Sequence, residues 1–206
     1  ATLTGLGLRI ASLIITISRG NLLITMLLTM VTCILLGAGL PTTANFIVTS
    51  TIAAPALLQL GVAPMAAYMF VLYFGIAADL SPPVALAAYA GAGIAGADPM
   101  KTGITAVKLA LAGFLVPFIY VMNPMLVLVD VTPLPFILAI ITAVIGVFLL
   151  GMSTIGYYKA PIPFWLRIII FGGALALLIP GLFSDAIGIA ILAFTYFFQK
   201  RRAKGQ

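Results

Sequence analysis

Two short stretches bring side-chain oxygens together with helix-breaking residues inside long apolar runs. Gly37-Ala38-Gly39-Leu40-Pro41-Thr42-Thr43-Ala44-Asn45 interrupts the first run, and Ala78-Asp79-Leu80-Ser81-Pro82-Pro83 interrupts the second. Thr42, Thr43 and Asn45 at one break offer hydroxyl and amide oxygens. Asp79, Ser81 and the carbonyls before Pro82 and Pro83 do the same at the other. Such oxygens are hard ligands and suit a hard cation such as Na⁺, with Thr42, Thr43 and Ser81 as the metal-ion candidates. Gly37 and Gly39 permit close backbone approach. The plainer reading is that Gly, Pro, Ser and Thr are kinks and packing positions, as in many membrane helices. Asp79 also has two readings. An intramembrane carboxylate is a functional hypothesis by default, and a cap for the N–H groups around Ser81 is the alternative.

Enzymatic chemistry has few resources here. There is no His, and the four acids are all Asp. Metalloproteolysis of the His-Glu-x-x-His type and Ser–His catalysis are therefore excluded. Aspartyl catalysis needs two facing acids, yet only Asp79 lies deep in an apolar segment. Asp98, Asp130 and Asp185 sit at turns, and no Asp-rich metal cluster exists. The expectation is a protein that is not an enzyme and has no cofactor beyond a coupling ion.

The elements that must position these residues follow from composition. Of 206 residues, 64% are hydrophobic and 7% charged, with a mean hydropathy of +1.30. Soluble domains are about 25% charged, so this surface is made for a bilayer. A soluble enzyme, a disordered tail and a nucleic-acid binder are set aside. The single Cys33 forms no intrachain disulfide and reads as a small hydrophobe. The chain starts Ala-Thr-Leu-Thr without Met, which reads as a fragment or a processed product.

Residues 6–18, interrupted by Arg9, suggest an interfacial helix. Length decides how 22–60 is read. One continuous helix would be roughly 60 Å long at 1.5 Å per residue, against a hydrocarbon core of about 30 Å. The uncharged Gly-Pro-Thr break fits a re-entrant hairpin of two half-helices; two short spans joined by a tight loop are the alternative. Residues 64–95 read as a discontinuous helix, 64–78 and 83–95, because the Pro pair removes backbone donors. Asp98 as N-cap and Pro99 at the first helical position start a helix over 99–122. Three further spans follow at 134–152, 165–179 and 185–199, with Trp165 at the interface and a tight turn at Pro180-Gly181. The fold class is all-α, a polytopic transmembrane protein with a hairpin and a broken helix. In hydrocarbon, unwound backbone persists only when buried in protein or lining a watery cavity, and secondary transporters build midplane sites this way.

Basic residues orient the chain. Lys101 and Lys108, then Lys159 and Arg167, then the tail Lys200, Arg201, Arg202 and Lys204 fall on one side if the last four helices each cross once. That side is cytoplasmic, and so is the C-terminus. Arg19, and Arg9 with it, then falls outside, against the rule.

Three motifs resemble the fused permease of TRAP transporters, in the TAXI branch. They are Gly37 to Asn45 followed by Ala54-Pro55-Ala56-Leu57, then Ser81 to Ala90, then Asp98-Pro99-Met100-Lys101-Thr102-Gly103. The resemblance covers roughly residues 5–128. It implies the second of two inverted repeats in a large membrane subunit, with residues 129–206 as extra C-terminal spans. It further implies Na⁺-driven uptake of a small organic acid across the bacterial inner membrane, delivered by a periplasmic solute-binding protein, with elevator-like movement. The N-terminal half of the permease would be the missing partner. Gly37, Gly39, Pro41, Thr42, Thr43, Asn45, Asp79, Ser81, Pro82 and Pro83 become the substrate and ion site. The acid at Asp79 departs from the small or hydroxyl residue common in the family, so the ion site does not carry over simply. A non-transporting membrane scaffold or assembly subunit is the other class.

Overall fold

The computed structural model describes residues 5–158, 160–178 and 181–203. Lys159, Pro180 and Lys204, and the side chains of Arg201 and Arg202, on which the sequence reading drew, lie outside the described residues. The chain divides into two compact units, Ala1–Lys108 and Leu109–Gln206.

The regular elements of the first unit are all helices among its described residues. α1 (Leu6–Ser18) ends where Arg19 and Gly20 take positive φ, and α2 (Leu22–Gly37) starts on Asn21. The Asn21 side chain accepts the Ile24 N–H at 3.2 Å, satisfying one orphan donor of the first turn. α2 buries Thr25, Met26, Thr29, Cys33 and Gly37, a three-to-four-residue spacing that marks one face. Gly39, at φ 77°, makes the turn into Pro41, and α3 (Thr42–Ile52) follows. α3 passes through Ala53 into the short α4 (Ala54–Gln59), and α5 (Pro64–Ala77) begins on a proline.

The breaks differ in extent from the sequence reading. The first is only residues 38–41: Thr42, Thr43 and Asn45 already belong to the first turn of α3, because Pro41 is preset to precede a helix. The second spans 78–85. The tandem prolines lack N–H donors and Ala85 takes φ 37°, so regular structure resumes only at α6 (Leu86–Ala95). α7 (Pro99–Met122) opens with Asp98 accepting the Lys101 N–H at 2.8 Å, as its sequence predicts.

Small polar side chains share the interior of this unit while many large apolar ones face outward. Ser18, Thr25, Thr29, Asn45 and Thr49 are buried, while Leu8, Leu13, Ile17, Leu35 and Ile47 are exposed. Ala53, Ala54, Ala56, Ala66 and Ala67 are fully buried. Small residues at helix contacts and apolar residues outside suit association in lipid, where packing rather than water exclusion holds helices together. Phe70 and Phe74 fill the centre edge to face, with ring centroids 4.8 Å apart.

The second unit continues α7 through a 3₁₀ turn (Pro124–Val127) into α8 (Pro133–Ile155). A minimal hairpin of β1 (Tyr157–Tyr158) and β2 (Ala160–Pro161) leads to α9 (Phe164–Leu178) and α10 (Leu182–Ala203). Leu149, Leu150, Leu166, Ile170 and Leu177 form its core. Among the described helices, α7 and α8 are long and apolar enough to cross a membrane by length and composition.

Arg167, counted above as a marker of sidedness, is used internally. Its Nε donates to the Ile162 carbonyl at 3.1 Å and a terminal nitrogen to the Gly156 carbonyl at 3.3 Å. Gly156 sits at φ 74°, and a Cβ there would overlap the Arg167 guanidinium. Gly156→Ala is expected to lower stability by about 1–3 kcal/mol, from overpacking and the disfavoured backbone together. An unchanged midpoint of thermal unfolding in detergent would show that this clamp does not hold the hairpin.

Candidate functional site

The two breaks meet. An open cleft of ≈ 500 Å³ is lined by Gly39, Leu40, Pro41 and Thr42 from the first break and by Asp79, Leu86 and Ala87 from the second. Its walls are the first turns of α3 and α6, and neither helix has a side-chain cap. The first N–H groups of a helix have no intrahelical acceptor, and the aligned dipoles leave partial positive charge there. Two such ends at one cleft favour an anionic group.

Among the residues lining the cleft, Asp79 alone carries a full charge. It is half-buried, and among the described residues its carboxylate accepts no hydrogen bond, so it does not cap the N–H groups around Ser81. Its main chain closes the break instead, the Asp79 carbonyl accepting the Ala87 N–H at 3.1 Å and fixing the start of α6 beside it. Thr42 and Thr43 are exposed, with Thr42 on the cleft wall.

Ser81, Pro82 and Pro83 do not line this cleft. The Ser81 hydroxyl donates to the Ala77 carbonyl at 2.9 Å, ending α5. The Pro83 carbonyl accepts from the Tyr89 hydroxyl at 3.1 Å. Pro82 and Tyr89 crowd Gly103 on α7, where an added Cβ would stand 3.1 Å from the Pro82 ring and 3.2 Å from the Tyr89 ring. This half of the second break faces α7.

Asn45 is also off the cleft. It is 2% exposed and lies between Gly37 at the end of α2 and Gly75 on α5. A Cβ on Gly37 would come 2.8 Å from Asn45 Nδ2 and 2.6 Å from the Gly75 carbonyl oxygen; one on Gly75 would come 2.6 Å from Asn45 Oδ1. Gly37 therefore does serve close backbone approach, whereas Gly39 has open space around it and serves the turn through its positive φ. Asn45 Oδ1 is buried without a hydrogen-bond partner among the described residues. Thr49 Oγ1, one turn on, donates to the Asn45 carbonyl at 2.9 Å. This three-helix crossing holds the tip of the first break against α5. The sequence reading missed Gly75; the signal was a lone glycine in the apolar run Phe74-Gly75-Ile76, which becomes meaningful only once Asn45 is placed against it.

The family model for the DctM component of the tripartite ATP-independent periplasmic transporter matches residues 1–135. The chain belongs to the DctM family. That makes it a membrane component of a TRAP transporter, in a family of transporters rather than enzymes. The match covers all of the first unit, including both breaks and the cleft, and runs into the start of α8. No curated protein and no solved structure matches the chain.

Proposed function

We propose that this DctM chain supplies the second-repeat half of a Na⁺-coupled importer of organic acids, of the TAXI type, in the bacterial inner membrane. A periplasmic solute-binding protein delivers the substrate, and the first half of the permease completes the site. In this reading 22–60 is a re-entrant hairpin with its tip at Pro41-Thr42-Thr43, and 64–95 is a discontinuous helix beside it. Residues 1–128 form the transport repeat, and 129–206 add three spans ending in a cytoplasmic tail. The observation that carries the reading is the shared cleft: Gly39–Thr42 and Asp79, Leu86 and Ala87 line it together. Two ordinary kinks have no reason to share a cleft between helix starts that lack side-chain caps.

The electrostatics of that cleft supply a coupling mechanism. The N-termini of α3 and α6 attract a carboxylate. Asp79 on the same wall repels it. A cation between Asp79 and the substrate removes the repulsion, so anion and cation bind better together than apart. Thr42, Thr43 and nearby carbonyls would complete the cation's shell with neutral oxygen. No Arg lines the cleft to fork a carboxylate, which leaves the helix ends as the anion-binding element from this half.

In the complete transporter, Thr42→Ala and Thr43→Ala are expected to lower Na⁺-dependent uptake roughly tenfold each, the effect of losing one ligand worth about 1.4 kcal/mol. Ser81→Ala should do less, since its hydroxyl is engaged with Ala77. Uptake into proteoliposomes under a Na⁺ gradient measures this. Wild-type uptake in both threonine variants, at equal membrane level, would remove the hairpin tip from the site.

A further inference from the structure

The second unit is polarised along its length. Residues 109–206 hold six of the ten bases, Lys159, Arg167, Lys200, Arg201, Arg202 and Lys204, and two of the four acids, Asp130 and Asp185. Leu134 at the start of α8 and Asp185 at the start of α10 border one cavity with Leu177 near the end of α9. At the opposite end the Trp165 ring, at the start of α9, packs on Phe198 of α10 with centroids 5.6 Å apart. The three helices therefore alternate in direction. Both acids belong to the first end, and all six bases to the second. Lys200 stands about 22 Å along α10 from Asp185, at 1.5 Å per residue, so no acid of this unit neutralises the basic end.

The basic end is fixed in place. Gln199, fully buried, donates from its amide nitrogen to the Tyr158 carbonyl at 3.1 Å and the Ala160 carbonyl at 3.3 Å, tying the last turns of α10 to the hairpin. Lys200 beside it is exposed, its Nζ 5.9 Å from the centroid of the Tyr196 ring. Aromatic rings stand just before these charges: Phe164 is 76% and Phe197 64% exposed, and Phe194 stacks on Phe198. Exposed rings at helix ends mark the membrane–water interface, so bases one turn further on stand at headgroup depth. Arg167 donates to the Ile162 and Gly156 carbonyls, which leaves the end of α10 and Lys204 as the recruiting charges. A surface that passes from exposed rings to four bases within about one turn matches a molecule that passes from chain to anionic head. An acidic polypeptide has no apolar body to cover the rings. We propose that this end of the second unit selects anionic phospholipid, the lipid phosphate meeting Lys200, Arg201, Arg202 and Lys204 while its chains lie against Phe164, Trp165 and Phe197. This holds whatever the first unit transports.

Trp165 is the chain's one tryptophan and stands at the site, so its fluorescence reads the adjoining lipid. The test reconstitutes the intact chain into vesicles of phosphatidylglycerol and phosphatidylcholine in equal parts, with bromine on the acyl chains of one or the other. Quenching should report phosphatidylglycerol in about fivefold excess beside Trp165, the ratio that the attraction of one surface base supplies. Salt at about 1 M should remove most of the excess. Lys200→Gln with Lys204→Gln should reduce it, and Gln at all four bases should remove it, with the Trp165 emission maximum unchanged. Lys101→Gln with Lys108→Gln, in the first unit, should leave it as it is. Equal quenching by the two brominated lipids in wild type would overturn the proposal without recourse to any variant. So would a preference that survives the fourfold replacement. Loss of the preference to polyglutamate at constant ionic strength would overturn the lipid in favour of an acidic polypeptide.

Discussion

A methyl group on Gly37 should destabilise the first unit by about 1–3 kcal/mol, the usual cost of overpacking a closed contact. The gain in helix propensity of up to ~1 kcal/mol from Gly to Ala works against this, but the geometry prevails. The Cβ would stand 2.6 Å from the Gly75 carbonyl oxygen, which is backbone inside α5 and cannot rotate away. α2 must then move off α5, and the face of α2 bearing Thr29 and Cys33 would loosen with it. Gly75→Ala meets only the Asn45 side chain, at 2.6 Å, whereas a Cβ on Gly37 meets that side chain at 2.8 Å and the immovable Gly75 carbonyl as well. The two variants therefore separate in a double-mutant cycle. Asn45→Ala should rescue most of the loss in Gly75→Ala and little of that in Gly37→Ala. Thermal unfolding in detergent reads both. An unchanged midpoint for Gly37→Ala, or equal rescue of the two glycine variants, would mean that the three helices do not cross as closely as this.

Much of the framework was legible because lipid imposes simple length and polarity rules. α1 and α7 have the bounds that the sequence predicts, and Asp98 caps α7 as its type and place require. The breaks were visible as Gly, Pro and Thr inside apolar runs. Their division into roles was not. Thr42, Ser81 and Asn45 are all small polar residues near a break, and only the third dimension shows one on the cleft wall, one ending α5 and one wedged between glycines. Asp79 shows the same limit. Its place in the sequence suited a cap for the N–H groups around Ser81 as well as a ligand, and the choice depended on where those groups go: the Leu80 and Ser81 N–H groups donate to the Ala77 and Ala78 carbonyls. Arg167 was legible as a charge but not as a donor to Gly156 and Ile162, since its acceptors are carbonyls that carry no sequence signal.

Asp79→Asn should raise the Na⁺ concentration for half-maximal uptake about tenfold in the complete transporter. The magnitude lies between the ~1 kcal/mol or less of an exposed ion pair and the 2–5 kcal/mol of a buried one, since Asp79 is half-buried at an open cleft. The amide keeps the size of the side chain and removes only its charge, and the main-chain bond from Ala87 to the Asp79 carbonyl is untouched. A second consequence runs in the opposite direction. Without the carboxylate, the first turns of α3 and α6 face the substrate unopposed, so binding of an organic acid in the absence of Na⁺ should strengthen. The ratio of affinities with and without Na⁺ should then fall, because the coupling free energy is the part of Asp79's repulsion that the cation relieves. Isothermal titration in detergent, with Na⁺ present or replaced by a large organic cation, measures the four affinities. If Asp79→Asn weakens substrate binding equally in both media, the carboxylate is a structural support for the break. If Na⁺ dependence is unaltered, the cation binds elsewhere than this cleft.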